Sequence, residues 1–386
     1  MVDAGLMHYR KKQRRIIFVF FFLSGLISAS WSARNPDIQH KLGINNAAFG
    51  TVLFSLYAGL FFGLAVAGWL VTSFGAKKIL IITSLISAVL LVLAATTSLV
   101  WMVMLILFLV GFVRTILNLS ANTAAIEVQT HYGRPIVAGF HGVWSVACFI
   151  AGGIGTAMII LGVNPFFHFL LIAIVIWFAV FFVAEKNSDT IIIKERRPFF
   201  VKPDKYLLLL GIMALCAMMC EGAMFDWSVN YFVKVIHPKR SLITVGYMAF
   251  IITMASGRLI GDRLMNSYGI ARMIAINGVL VAIGFLIAAR FPFVLPAAFG
   301  FLLIGMGDSI LIPAMYMLAA KTNKMPAAYA LSSVTLIGNT GFLIGPLFIG
   351  NISETFGMQS AFYCLSALGV VISVLSLRVK KMADSE

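Results

Sequence analysis

Twelve stretches of this chain are each apolar enough and long enough to cross a bilayer, and little sequence lies between them. A hydrocarbon core of ~30 Å takes about 20 residues of helix. Runs of that kind fall at roughly 16–33, 46–72, 78–97, 99–126, 136–162, 165–184, 206–232, 242–265, 272–289, 292–320, 327–350 and 358–378. With no water to hydrogen-bond the backbone in lipid, such runs are expected to be helices. At 61% hydrophobic and 11% charged residues, the chain has no stretch left for a soluble catalytic domain. The expected fold class is an all-α, polytopic membrane protein. The first run leads directly into the second and shows no small-residue cleavage site, so it reads as a helix and not as a removed signal peptide. Cys148, Cys216, Cys220 and Cys364 all fall inside these runs, which argues against a disulfide framework.

The formal net charge of +15 would suit nucleic acid if the cations formed one patch. They do not. With the N-terminus placed inside, most of the 29 Lys and Arg fall in cytoplasmic loops, led by the run Arg10 to Arg15 and the connector 185–205. Only Arg34, Lys41, Lys234, Lys239, Arg240 and Arg290 fall outside, and Arg114 and Arg258 lie in or near the membrane. This is the positive-inside pattern, with both termini cytoplasmic. The bilayer is the expected partner, and nucleic acid is not.

Shifted by about 194–196 residues, the two halves of the chain align. Ser30-Trp31-Ser32 falls on Asp226-Trp227-Ser228, and Gly111-Phe-Val-Arg114 falls on Gly305-Met-Gly-Asp308. Between them runs EKNSDTIIIKERRPFFVKPDK, a charged connector. The expected organisation is a six-helix half over 1–184, a cytoplasmic linker over 185–205 and a second six-helix half over 206–386. Parallel repeats of this size belong to transporter architecture.

The second half carries Gly257-Arg258-Leu-Ile-Gly261-Asp262-Arg263, followed by Gly269 and Arg272. The first half carries a weaker copy, Gly68-Trp-Leu-Val-Thr72-Ser73-Phe-Gly75-Ala-Lys77-Lys78, and the eleventh run holds Gly338, Gly341 and Gly345-Pro346. These loops resemble the Gly-rich, Asp/Arg-containing marker of the major facilitator superfamily, and the resemblance covers essentially the whole chain. It implies a fold of twelve transmembrane helices in two pseudo-symmetric halves, with helices one, four, seven and ten lining a central cavity. It also implies gating roles for Gly257, Gly261, Asp262 and Arg263. Thr72 and Ser73 stand where the family has Asp and Arg, so the first-half latch is expected to be missing. The stretch EGA-x-x-DWS, Glu221 to Ser228, more narrowly resembles the YbjJ-like inner-membrane subgroup, whose wider neighbourhood includes proteins credited with copper or flavin transport.

Charges inside apolar runs are costly and mark pathways or partners. Here they are Arg114, Glu221, Asp226 and Asp308. Glu221 is the expected proton carrier, being deep in its run with no basic residue at helical spacing. Asp226 and His141 are further candidates for proton coupling, although Asp226 also reads as a solvated vestibule residue and His141 as a hydrogen-bonded spacer. Arg114, Asn118 and Asn122 recur every four residues and so share one helix face. With Asp308, Tyr316 and Trp227 they form the expected substrate-binding set. Arg114 and Asp308 also read as a neutralising pair, and an unpaired Arg114 would favour an anionic substrate. Trp31 and Trp227, at helix ends, read first as interfacial anchors, and so does His168.

Met213, Cys216, Cys220 and Met224 make a sulfur stripe along one helix face. Soft ligands suit Cu(I), but Met and Cys are also ordinary packing residues. No metal or other cofactor is expected. No nucleotide-binding loop or nucleophile–base pair is present, so the chain does not read as an enzyme. The reading reached is a monomeric secondary active transporter of the inner membrane. It would move a small polar organic solute by alternating access with proton coupling, as a symporter. A copper, vitamin or flavin transporter, a drug or metabolite exporter, and a non-transporting sensor remain as alternatives.

Overall fold

The computed structural model describes residues 4–130, 132, 136–184, 203–322 and 325–383. Among them, twelve helices are long and apolar enough to span a membrane. The first six are α1 (Ala4–Leu42), α2 (Asn46–Phe74), α3 (Ala76–Ala94), α4 (Val100–Thr130), α5 (Val137–Ile160) and α6 (Pro165–Ala184). The other six are α7 (Lys205–Tyr231), α8 (Val245–Tyr268), α9 (Ile270–Arg290), α10 (Val294–Ala320), α11 (Ala327–Phe356) and α12 (Met358–Ala383). There are no strands among the described residues. The exposed side chains are largely hydrocarbon, for example Leu295, Leu259, Phe178 and Phe181, as suits a lipid solvent. Of the expected cytoplasmic features, Arg134, Lys324 and residues 185–202 of the connector lie outside the described residues.

Two compact units emerge. One comprises Met1–Leu42 with Ser55–Glu195, and the other Gly43–Phe54 with Arg196–Glu386. In the first, α1 packs on α5, and α3 on α4 and α6. In the second, α10 packs on α8 and α9, α11 on α7, and α12 on α7 and α9. The opening stretch of α2 belongs to this second unit. Its Gly50 lies against the backbone of Pro346 and Gly350. Lys234 Nζ donates to Asn46 Oδ1 at 2.6 Å, and the Asn46 backbone N–H donates to Glu354 Oε2 at 2.9 Å.

Lipid tails are as apolar as Leu, so helices in a bilayer associate through close packing and not through hydrophobic burial. Glycine seams provide that packing here, and they recur at the repeat spacing. A Cβ on Gly111 of α4 would collide with the Leu56 carbonyl of α2, and one on Gly305 of α10 with the Phe250 carbonyl of α8. Gly63 faces Thr115 and Gly257 faces Ser309. Each member of the second set stands 194 positions after its counterpart. The turns also match. Gly75 has φ 85° and ψ 141°, Gly269 has φ 84° and ψ 144°, and only glycine reaches this backbone without strain.

Several helices outrun the expected bounds: α11 reaches Phe356 against 350, α12 Ala383 against 378, and α1 differs most, starting at Ala4 against 16. The first helix runs on to Leu42, well past residue 33, through Arg34, Asn35, Pro36 and Asp37. The sequence places these residues beyond the helix, but the Arg34 guanidinium is satisfied inside the unit. Arg34 Nη1 reaches Asp37 Oδ2 at 2.7 Å, Nη2 donates to the Val163 carbonyl at 2.7 Å, and Nε donates to His168 Nδ1 at 3.2 Å. His168 is therefore a buried partner of Arg34 and not an interfacial residue.

The seams predict a sharp contrast between glycines. Gly305→Ala should lower the melting temperature of the detergent-solubilised protein, at a cost of about 1–3 kcal/mol for forcing the α8–α10 seam apart. Gly68→Ala, where an added Cβ meets nothing within 4 Å, should leave it unchanged or raise it slightly.

Candidate functional site

The second unit gathers charge inside its helices. Gly257 and Gly261, four apart on α8, let that helix close on Ser309 and Ile310 of α10. The neighbours of those contact residues, Arg258 and Asp308, are thereby brought into one region. Arg258 Nη2 donates to Glu221 Oε1 of α7 at 3.2 Å, with the two side chains 32% and 14% exposed. Asp308 is 3% exposed and neither carboxylate oxygen has a hydrogen-bond partner among the described residues. The charges of Glu221 and Arg258 both act on it. Tyr316, two turns further along α10, is hydrogen-bonded to Thr335 of α11 and also feels Glu221.

Glu221 is therefore not without a partner, as its own helix suggested. The partner comes from the next helix, which spacing within α7 cannot reveal. The cluster holds two carboxylates and one guanidinium. If all three are ionised, one negative charge is left over in a medium where uncompensated charge is expensive.

The first unit has the opposite imbalance. Arg114 lines a partly open cavity walled by α1, α2, α3 and α4. Ser24, Ser28, Trp31 and Ser87 supply its polar lining, and Leu56 and Leu117 are among its apolar walls. Arg114 has no hydrogen bond or ion pair among the described residues. Further along α4, Asn122 Nδ2 donates to the Asn118 carbonyl at 2.8 Å, and Asn122 Oδ1 lies 3.2 Å from His141 Nε2 of α5. Asn118 and His141 are exposed. The ladder expected on α4 thus takes in His141, and Phe21 meets the His141 ring edge-on.

Other expected residues are placed differently. Trp227 is fully buried and packs edge-on against Phe49 at 5.6 Å, so it is not an interfacial anchor. Trp31 is buried at the cavity wall, and its Nε1 has no partner among the described residues. Asp226 is buried and is not a solvated vestibule group. Asp262 and Arg263 are exposed and make no hydrogen bond or ion pair among the described residues. The first Gly-rich stretch does carry a charge whose influence its sequence did not announce, since buried Lys77 acts electrostatically on buried Glu127 of α4. Met213, Cys216, Cys220 and Met224 are all buried, and Cys220 Sγ donates to the Leu365 carbonyl of α12 at 3.8 Å. The stripe packs within the second unit. No group of three His, Cys, Asp or Glu able to hold a metal occurs among the described residues.

A duplicated six-helix scaffold with charge held inside its helices defines a polytopic carrier. Residues 16–330 match the family model of the Major Facilitator Superfamily. The chain belongs to that superfamily and is a transporter of its type. It is 28% identical over 368 residues to an uncharacterized MFS-type transporter of Yersinia pestis, covering 94% of each chain. Among solved structures it is similar to the nucleoside transporter NupG, with a TM-score of 0.77 at 16% identity over 96% of this chain and 99% of that one. A bacterial homologue of the human lysosomal transporter Spinster, inward-facing and occupied, gives a TM-score of 0.77 at 13% identity, covering 95% and 96%. At such identities the solved structures speak for the fold alone.

The charge count of the second unit orders three variants. Arg258→Gln strands two carboxylates and should be the most destabilised, by about 1–3 kcal/mol for a pair this exposed. Glu221→Gln leaves Arg258 beside Asp308 and should cost less. The double variant should recover part of the loss, read by thermal unfolding in detergent.

Proposed function

We propose that the chain is a proton-coupled secondary active transporter of the bacterial inner membrane. It works as a monomer with both termini cytoplasmic, and moves a small polar organic solute by alternating access of two six-helix halves. The observation that carries this reading is the Glu221–Arg258–Asp308 cluster inside the second unit. Arg258 pairs with Glu221 and acts on Asp308 through its charge alone, so arrival or departure of a single proton decides whether the cluster is neutral. A cluster that can be neutral in one state and charged in another is what coupling to a proton gradient requires.

The other roles follow from placement. Arg114, with Asn118 and Asn122 beyond it on α4, offers the first unit's polar contacts to a solute, and Tyr316 with Asp308 those of the second. Trp227, fully buried, would shape the solute's surroundings through packing. His141, exposed beside Asn122, and buried Asp226 are secondary proton groups. Gly257 and Gly261 hold the α8–α10 seam, while exposed Asp262 and Arg263 are free to engage a partner when the carrier changes state.

Reconstituted proteoliposomes test the reading. With the outside made acidic, the wild type should accumulate its solute from a panel of sugars, organic acids, nucleosides and vitamins. Asp308→Asn and Glu221→Gln should each abolish gradient-driven accumulation while leaving solute counterflow, since exchange needs no net proton cycle. Accumulation unchanged in both variants would remove the coupling proposal. Absence of flux in either direction for every solute would favour the sensor reading.

A further inference from the structure

The first unit's cavity has a chemistry that selects its ligand. We propose that it binds the carboxylate of a small organic acid, with Arg114 and the Trp31 indole N–H as donors and the apolar walls enclosing the acid's body. This names a substrate class for the transporter reading above and rests on it.

Four observations carry the assignment. First, Arg114 lines the cavity and makes no hydrogen bond or ion pair among the described residues. The acidic residues described in its unit are Asp37, which is bonded to Arg34, and Glu127, on which Lys77 acts. Second, Trp31 lines the same cavity, and its buried Nε1 has no partner among the described residues. An indole N–H only donates, as does a guanidinium, so both call for a ligand that accepts. Third, Ser24 and Ser87 at the wall have hydroxyls that no described residue engages, whereas Ser28 already donates to the Ser24 carbonyl at 3.0 Å. Fourth, the rest of the lining is aliphatic, including Ile27, Leu91 and Val110, which suits an apolar body and not a bare inorganic oxyanion.

The guanidinium fork fits a carboxylate in two parallel bonds, which an ammonium does not reproduce. No acidic side chain lines the cavity, so a cationic ligand finds no counter-charge there. A neutral amide would keep the shape of the acid and lose the charge-assisted bonds. The residues that line the site all belong to one unit.

The test uses the full chain in detergent, with calorimetric titration of benzoate and isobutyrate, of benzamide and isobutyramide, and of sulfate. Each carboxylate should bind about tenfold or more tightly than its amide, and more tightly than sulfate. Arg114→Lys, which keeps the charge and loses the fork, should weaken carboxylate binding about tenfold and narrow the gap to the amide. Trp31→Phe, which keeps a ring and loses the N–H, should weaken it by a smaller factor, and it reads the site independently if the Arg114 variant does not fold. Amides binding as tightly as acids, sulfate binding in preference, no binding of either carboxylate, or unaltered affinity in Trp31→Phe would each overturn the assignment. Carboxylate binding without flux in proteoliposomes would leave the site and remove the transporter reading. Flux confined to neutral solutes would keep the transporter and remove the site.

Discussion

Backbone-to-backbone approach at glycine is the constraint on which the rest of the protein depends. In a hydrocarbon solvent, burying apolar side chains against one another gains little over leaving them in lipid, so helices hold together where their surfaces come close enough for dispersion and polar contacts. Gly111 against Leu56 and Gly305 against Phe250 provide that closeness, and each has a Ser or Thr one turn further on that meets a glycine of the facing helix. Thr115 also donates to the Leu60 carbonyl at 3.1 Å, tying the first seam with a hydrogen bond between helices. The functional side chains sit beside these contacts. Arg114 precedes Thr115 and Asp308 precedes Ser309, so the closest helix contacts in each unit also fix the direction of its charged group.

Much of this was legible in the sequence, for reasons that differ by level. The spans were legible because a membrane helix must be apolar for its whole length, and the boundaries agree closely except on α1 and at the C-terminal ends of α11 and α12. On α1, Arg34 and Asp37 look like loop residues because nothing local shows that the Val163 carbonyl and His168 will receive the guanidinium. The repeat was legible because both halves keep glycine at the seam. Arg114, Glu221 and Asp308 stood out because ionisable groups are rare in apolar runs.

What stayed hidden depended on proximity between helices. Arg258 was visible as a charge in or near the membrane, but its pairing with Glu221 spans two helices and has no periodicity to betray it. The cavity was invisible because it is a gap left by four helices, and Ser24, Ser28 and Ser87 look like ordinary small residues in a span. Trp31 and Trp227 were misread because a tryptophan at a helix end has the same local sequence whether it faces headgroups or a neighbouring helix. Lys77 with Glu127 could have been found by asking where the lone acid of α4 goes, since a buried carboxylate calls for a cation.

The seam and the charge beside it are separable. The glycine contact decides how two helices cross, while the adjoining position carries a cation in one unit and an anion in the other without disturbing that crossing. The mount is therefore indifferent to what it carries. A lineage built on such joints can exchange the chemistry at a few mounted positions while the helices stay where they are. That is how a chain can superpose on a nucleoside carrier along nearly its full length while sharing only 16% of its residues. Architecture in this fold is a memory of glycines, and solute preference is written in their neighbours.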